Sequence, residues 1–346
     1  MEALQVGILL LGIIPIVGGL LTLFIFLYPW VKAEPRRVQL LKFYLLPAWR
    51  NPEFTAYENE IEKIKSKRRL FRRFLTPLTI IGFLMILFIT VLAVYGPWLT
   101  VIPLQEITPP WIDPLAVPFE DPTPEHPLGT TKNGYDVLAR VIWGARTTMG
   151  MAFIPVIISI AGGLILGTIS AYIGGTFDYV MMRIVDLIYV FPMFILAVIL
   201  IPMIGQTLWN TLVIFAILGI PGNIRFMRMM VLQVRGMVFV DAAKTGGALK
   251  FKVMFKHIVP NAISPIIISV FWGAAGTILG LAGIGFLGFG DQTIADWGTD
   301  VFWAAGRLLT GLSAVIVPGI FTGITAAGFM LIGDGMRDAL DPRFHK

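Results

Sequence analysis

The composition of this 346-residue chain is that of a membrane protein: 56% of its residues are apolar and only 14% are Asp, Glu, Lys or Arg. Its mean hydropathy is +0.81, whereas soluble domains have about 25% charged residues, so a water-soluble globule is excluded. The chain has no cysteine, which excludes disulfides, thiolate metal sites and cysteine nucleophiles. Its three histidines are far apart in sequence, and no metal centre is expected.

Continuous apolar runs recur along the chain and predict an all-α polytopic membrane protein. Each run is long enough to cross about 30 Å of hydrocarbon as a helix. The runs also lack the period-two alternation of barrel strands. About seven membrane-spanning helices are predicted, at roughly 6–31, 74–102, 147–172, 187–206, 207–224, 263–285 and 308–333.

The first predicted span, in residues 1–31, has an acidic residue before it and basic residues after it. Glu2 precedes the apolar run and Lys32 follows it, which predicts a true span with its N-terminus outside. The next segment, 32–73, contains twelve Lys and Arg and is predicted to be cytoplasmic. Its basic helix is either a solvated juxtamembrane helix or an anchor for anionic lipid headgroups.

The distribution of Lys and Arg predicts the orientation of the whole chain in the cell membrane. When the seven spans alternate, 23 of the 27 Lys and Arg fall in predicted cytoplasmic segments and four fall outside. This is a strong positive-inside pattern. It predicts an extracellular loop at 103–146, a cytoplasmic loop at 225–262 and a cytoplasmic C-terminus.

The predicted spans contain essentially no Asp, Glu, Arg or His, which disfavours an ion-coupled transporter. The chain also lacks the GxxxxGK[ST] phosphate loop, so ATP hydrolysis by this chain is not expected. Asp178, Arg183 and Asp186 are predicted to lie at a short cytoplasmic turn, with Arg183 and Asp186 as a structural pair.

Glycine-rich stretches in the spans, such as IAGGLILGTISAYIGG and GAAGTILGLAGIG, have two interpretations. Small faces allow close helix packing in lipid, and they could also border a path for a solute. Trp297, in a turn-rich loop near the outer end of a span, is predicted to be an interfacial aromatic residue. Pro192 and Pro221 are predicted to kink helices.

A basic helix-turn-helix interrupts the apolar spans, with the sequence DAAKTGGALKFKVMFKHIVPNA at 241–262. Asp241 favours a helix N-terminus, and Ala242 and Ala243 give that helix a flat surface. Gly246 and Gly247 allow the backbone to break and reverse.

A second helix is predicted at about 249–258, ending at Val259 and Pro260. Its apolar face would consist of Phe251, Met254, Phe255 and Ile258, at i, i+3, i+4 and i+7. On these grounds alone, the element either docks on a partner or lies on the membrane surface.

The spacing of this element resembles the EAA loop of ABC-importer permeases. Asp241-Ala242-Ala243 stands at the Glu-Ala-Ala position, Gly247 at the glycine and Pro260 at the closing proline. The ending HIVPN, 257–261, is similar to the dipeptide/oligopeptide/nickel branch.

Other stretches resemble the same branch, and specifically its C-type subunit. They are HPLGTTKNGYDVLARVIWGAR at 126–146, AYIGGTFDYVMMRIVDLIYVFP at 171–192, GFLGFGDQTIADWG at 285–298 and GDGMRDALDPR at 333–343. Thr131 and Tyr135 depart from the first motif, where Asp and Arg are usual.

The resemblance implies that six helices in residues 74–346 form a permease core, with the first span as an extra N-terminal helix. It implies a second permease chain, two ATP-binding subunits that hold ATP and Mg, and an extracellular solute-binding protein. No enzymatic activity, cofactor or nucleic-acid partner is expected for this chain, which would also contact membrane lipid. The coupling residues that dock on the ATPase would be Asp241, Ala242, Ala243, Lys244, Gly246, Gly247 and Pro260.

The cargo implied by the resemblance is a di- or oligopeptide, with oligosaccharides or nickel as alternatives within the same class. Cargo choice lies largely in the separate binding protein, so the substrate-binding residues of this chain are not predicted. The alternative from a different class is an autonomous ion-coupled transporter or channel.

Overall fold

The computed structural model describes residues 74–100, 102–109, 117–307 and 311–340. The predicted N-terminal span, 1–31, and the basic segment, 32–73, lie outside the described residues. The same is true of the last six residues, 341–346.

The described residues form helices, with a single isolated β-bridge between Thr130 and Asp136. The helices are α1 (Pro77–Leu99), α2 (Val137–Ile173), α3 (Gly175–Tyr189), α4 (Met193–Ile204), α5 (Leu208–Arg235), α6 (Val238–Thr245), α7 (Lys250–Lys252), α8 (Val259–Ala262), α9 (Ser264–Phe286), α10 (Trp297–Ala305) and α11 (Leu312–Leu340). A short 3₁₀ helix covers Leu104–Ile107, and a π-helical segment, Val253–Ile258, joins α7 to α8.

Five of these helices, α1, α2, α5, α9 and α11, are long and apolar enough to cross a membrane. Helices α3 and α4 are a sixth candidate when they are taken together as one broken span, bent by 76°. The prediction of an all-α polytopic membrane protein is confirmed. The continuous span predicted at 187–206 is wrong, because the helix breaks between Tyr189 and Met193. Pro192 lies at this break, where it lacks an amide hydrogen and disfavours helical backbone in the residue before it.

Helix α2 is longer than a membrane crossing requires. Its 37 residues extend about 55 Å, against about 30 Å of hydrocarbon. The helix begins at Val137, ten residues before the predicted span, so the last part of the predicted 103–146 loop is helical.

Local sequence signals explain where the long helices begin. The Thr76 hydroxyl accepts a hydrogen bond from the Thr79 amide at the start of α1, and Pro77 occupies the first helical position. The Asp136 carboxylate accepts from the Ala139 amide at 2.6 Å at the start of α2. Helix α2 ends at Gly174, whose φ of +70° favours glycine.

The core of the described residues contains five apolar clusters, of which the smallest joins Ile107, Tyr135, Ala139 and Ala295. One cluster joins the end of α1 to the starts of α2 and α11 and to α10. Two central clusters join α2 to α9, one with α11 and the other with α4 and α5. The fourth joins the ends of α2 and α5 to α6, the π-helical segment and the start of α9.

Glycines allow α2 and α5 to approach closely. A Cβ added at Gly163 would lie 2.3 Å from the Asn223 Cβ, and one at Gly167 would lie 2.6 Å from the Ile224 carbonyl oxygen. The close-packing interpretation of the IAGG stretch is therefore confirmed at these two positions.

The helices that contain the predicted spans carry more charge than the sequence indicated. Asp178, Arg183 and Asp186 lie on the 15-residue helix α3, not at a short turn. The Arg183–Asp186 pair is wrong, because Asp186 pairs with Arg225 of α5, while the Arg183 guanidinium lies over the Tyr179 ring. The prediction failed because both helices extend past the apolar runs that were used to define the spans.

Candidate functional site

The basic helix-turn-helix predicted at 241–262 forms a helical hairpin at one end of the bundle, here named the basic hairpin (residues 238–262). Its first arm is α6, with Asp241 in the first turn, as the sequence predicted. The Asp241 carboxylate pairs with the Lys244 ammonium at 2.9 Å, and both side chains are exposed. Ala242 is exposed on the same arm, and Ala243 is half-buried.

The turn of the basic hairpin is a Schellman motif. The Gly247 amide donates to the Lys244 carbonyl at 3.0 Å, and the Ala248 amide donates to the Ala243 carbonyl at 3.1 Å. Gly247 has φ +76°, with nothing within 4 Å of an added Cβ, so backbone conformation and not space requires glycine here. Gly246 caps the arm with φ −72°, which any residue adopts. The predicted break at the glycine pair is confirmed.

The second arm agrees with the prediction at two of four positions and differs from it at Phe251 and at its end. The π-helical segment buries Val253 together with the predicted Met254 and Ile258, and Phe255 is half-buried. Phe251, predicted for the buried face, is 70% exposed. Pro260 does not end the helix: it lies in the first turn of α8, which continues to Ala262.

The tip of the basic hairpin exposes large apolar side chains between its lysines. Val238 is 85% exposed, Leu249 is 77% exposed, and the exposed Phe251 ring stacks on Phe255 at 4.6 Å. Exposed apolar groups rimmed by charge are typical of a protein–protein contact surface. The lysines Lys244, Lys250, Lys252 and Lys256 disfavour a position within hydrocarbon.

The underside of the hairpin is fixed to three spanning helices. Val240 and Val253 are fully buried against residues of α2, α5 and α9. The Arg235 guanidinium donates to the Ala171 carbonyl at 2.7 Å at the end of α2. Arg228 contacts both carboxylate oxygens of Asp178, at 2.6 and 2.7 Å. The hairpin therefore packs directly against α2, α5 and α9, and the Arg228–Asp178 pair joins α5 to α3.

Helices α2, α4, α5 and α9 surround a cavity of about 400 Å³. Every described residue that lines it is uncharged, and the polar ones are Ser159, Asn223, Ser269 and Thr277. The Asn223 amide nitrogen donates to the Ser159 hydroxyl at 3.2 Å. Gly276 also lines the cavity, with nothing within 4 Å of an added Cβ. Gly276 belongs to the glycine-rich stretch GAAGTILGLAGIG, so this stretch borders open space at that position.

A second polar site lies at the loop end, defined as residues 117–136 and 287–307. Arg140 of α2 is fully buried and pairs with Asp300 of α10. The Arg140 guanidinium also donates to the Ile107 and Ile294 carbonyls and lies 4.8 Å from the Trp303 ring centre. This pair joins two of the sequence motifs, which are about 160 positions apart in the chain.

Burial has the largest effect on the pKa values of the carboxylates at the loop end. It raises the pKa of Asp300 to about 6, because the favourable charge of Arg140 only partly offsets the loss of water and the nearby Asp296 adds repulsion. Burial also raises the pKa of Asp296 and of Asp136. The second Asp300 oxygen has no hydrogen-bond partner among the described residues.

Trp297 is part of this loop-end core, and the prediction of an interfacial aromatic residue is wrong. Its side chain is 1% exposed, and its indole nitrogen donates to the Val141 carbonyl at 3.1 Å. Gly144 makes room for it: an added Cβ would lie 2.6 Å from the indole nitrogen. The aromatic ring packs within the protein because α10 places it against residues of α1, α2 and α11.

Sequence reasoning missed Arg140, Asp300 and Arg225 as interacting residues, and it gave Asp186 the wrong partner. The motif at 126–146 contains Arg140, and a buried arginine needs a carboxylate, but spacing could not choose among the acidic residues of the loops. The partner of Arg225 was not identified because Arg225 lies after the end of the apolar run that defined the predicted span.

The chain is similar to known transport proteins. The family described as "Binding-protein-dependent transport system inner membrane component" matches residues 163–346. The dipeptide transport system permease protein DppC of Alkalihalophilus pseudofirmus is 33% identical over 267 residues, 77% of this chain and 86% of that protein. DppC of Haemophilus influenzae is 31% identical over 76% of this chain and 90% of that protein. The probable D,D-dipeptide permease DdpC of Escherichia coli is 33% identical over 78% of this chain and 88% of that protein.

Proposed function

The chain belongs to the family of binding-protein-dependent transport system inner membrane components, and on that premise we propose that it is the permease subunit of an ATP-driven importer of di- or oligopeptides. It forms half of the translocation path. The peptide cargo rests on relatives named as dipeptide permeases. The chain itself is not an ATPase, and ATP and Mg are held by two separate ATP-binding subunits.

The observation that carries this proposal is the basic hairpin, which exposes Val238, Leu249 and Phe251 beside Asp241 and Lys244. In the proposed complex this surface docks on an ATP-binding subunit. Ala242, Ala243, Gly246, Gly247 and Pro260 shape the same hairpin.

Coupling follows from the packing beneath the hairpin. Closure of the ATPases on ATP moves the hairpin, whose buried Val240 and Val253 pack on α2, α5 and α9. These helices line the cavity of about 400 Å³, so their displacement changes access to it. Because ATP acts on an equilibrium between two packings, it shifts that equilibrium only by its difference in affinity for them.

The proposed assembly contains a second permease chain, two ATP-binding subunits and an extracellular solute-binding protein in a lipid membrane. The proposed topology has seven spans, with the N-terminus outside and the C-terminus in the cytoplasm. Residues 103–146 lie outside and 225–262 inside. The span at 1–31 is an addition to the core of 74–346, joined to it by the basic segment 32–73.

Two alternative cargoes belong to the same importer class, oligosaccharides and nickel. The uncharged cavity lining is compatible with a neutral sugar, whereas the names of the relatives favour peptide. The alternative from a different class is an autonomous ion-coupled transporter or channel. Purification of the chain from native membranes separates the classes: associated ATP-binding subunits support the importer, and activity of the isolated chain contradicts it.

The decisive functional test is Gly247→Pro in the complete importer. Proline cannot adopt φ +76° and lacks the amide that bonds to Lys244. We expect normal membrane insertion, with uptake uncoupled from ATP hydrolysis. The measurement is peptide uptake per ATP hydrolysed in proteoliposomes.

Gly236→Ala, just before the hairpin, is the matched control, because Gly236 has ordinary φ and nothing lies within 4 Å of an added Cβ. It should transport peptide nearly as the wild type does. Normal coupled uptake by Gly247→Pro would contradict the coupling role.

A further inference from the structure

Thr277 of α9 is buried but has a free hydroxyl group. The hydroxyls of Thr90 and Thr325, in other spanning helices, each donate to the carbonyl four residues earlier in the same helix at 2.7 Å. Thr277 is only 9% exposed, and its hydroxyl has no hydrogen-bond partner among the described residues. Its oxygen is not fully enclosed, whereas the unpartnered Thr168 oxygen is. Because Thr277 lines the cavity of about 400 Å³, its hydroxyl is available to a molecule in that cavity.

Asn223 of α5 brings a free acceptor to the lining of the same cavity. Its amide nitrogen donates to the Ser159 hydroxyl at 3.2 Å and to the Gly219 carbonyl at 3.1 Å. These two bonds use both amide hydrogens. Its side-chain oxygen accepts from no described residue. The lining therefore contains one unused hydroxyl and one unused carbonyl oxygen.

Both residues lie at mid-length in spanning helices. Helix α9 has 23 residues and is about 34 Å long, close to the roughly 30 Å of hydrocarbon. Thr277 is 13 residues after Ser264 and nine before Phe286, the two ends of α9. Asn223 is 15 residues after the start of α5 and 12 before its end. At this depth a polar group without a partner is costly, so water or a polar cargo satisfies both groups.

We infer that Thr277 and Asn223 form a subsite for one peptide group of the cargo, an inference that rests on the proposed function. A peptide group has one carbonyl acceptor and one N–H donor. The Thr277 hydroxyl donates to that carbonyl oxygen, and the Asn223 side-chain oxygen accepts from that N–H. Because both contacts are made with the backbone of the cargo, they are the same for different side chains.

The rest of the lining determines which side chains the subsite accepts. Met193, Phe194 and Phe215 give it an apolar surface, and every described residue of the lining is uncharged. A charged side chain would lose its water here without gaining a partner of opposite charge. The subsite therefore favours peptides with uncharged side chains. A volume of about 400 Å³ lies within the range of about 300–1,000 Å³ for small-molecule sites.

The first test is Thr277→Val in the complete importer with its binding protein, in proteoliposomes with radiolabelled dialanine. Valine keeps the shape of the side chain and removes the hydroxyl. Uptake should fall about tenfold, because the peptide carbonyl is left without a donor. Thr325→Val is the matched control: Thr325 is fully buried, bonds within its own helix and does not line the cavity. It should transport normally.

The second test, Asn223→Asp, separates recognition of the cargo from a structural role. It places a carboxylate in the uncharged lining and should raise the ratio of alanyl-lysine uptake to alanyl-glutamate uptake about tenfold. A structural defect lowers the uptake of both dipeptides alike, so an unchanged ratio would overturn the inference.

Wild-type uptake of dialanine by Thr277→Val would also overturn the inference, because water alone would then satisfy the hydroxyl. Should Thr277→Val fail to assemble, Thr277→Ser against Thr277→Ala gives the same comparison with smaller side chains, and equal uptake by the two would count against the subsite. A wild-type importer that takes up no dipeptide refutes the proposed function instead.

Discussion

The Arg140 and Asp300 side chains are each 1% exposed, whereas about half of each side chain in the Asp186–Arg225 pair is exposed. Both pairs join distant parts of the chain through the same two kinds of charged group. Arg140 is enclosed by carbonyl oxygens and by the Trp303 ring, whereas Arg225 has one stacked ring and an open side. Because burial removes water as a competing partner, the first pair depends on its two members for its charge balance, whereas water solvates the second pair and limits its contribution to stability.

Removal of one arginine from each pair should have unequal effects on stability, the largest contrast that we expect. Arg140→Gln leaves Asp300 buried without its cation and should lower the free energy of unfolding by about 3–5 kcal/mol. Arg225→Gln should lower it by less than about 1 kcal/mol. Thermal unfolding of the purified importer in detergent measures both. Equal losses would show that burial does not distinguish the pairs.

The packing around the buried pair can be altered without touching a charge. Gly144→Ala places a Cβ 2.6 Å from the Trp297 indole nitrogen and should cost about 1–3 kcal/mol through overpacking. Gly150→Ala on the same helix meets nothing within 4 Å and should stabilise the helix slightly. The same unfolding experiment compares them. If Gly144→Ala left the free energy of unfolding unchanged, the loop end would not be rigid at this contact.

The buried pair should also give a pH dependence. Because the pKa of Asp300 is raised to about 6, the folded state holds a proton that the unfolded state has released, and stability falls as pH rises from about 4 through 6. Between pH 5 and pH 6 the loss is about 1 kcal/mol. Asp300→Asn removes this contribution. Thermal unfolding of the wild type and of Asp300→Asn at pH 5 and pH 6 measures this difference. The same pH dependence in both proteins would contradict the raised pKa of Asp300.

The basic hairpin illustrates how far local sequence rules reach. Gly246 and Gly247 predicted the turn because a Schellman motif needs only neighbouring residues and one left-handed glycine. The second arm was predicted correctly at Met254 and Ile258, which are buried, and wrongly at Phe251, which is exposed. The π-helical segment also buries Val253, which packs with residues of α2, α5 and α9.

The sequence by itself determined the membrane class, the helical character and the turn at Gly247. These depend on composition, capping chemistry and backbone preference, which act over a few residues. Tertiary structure decided which carboxylate meets which arginine and that Trp297 is buried. These outcomes depend on which helices pack together, and residues as far apart as Arg140 and Asp300 carry no local signal of their contact.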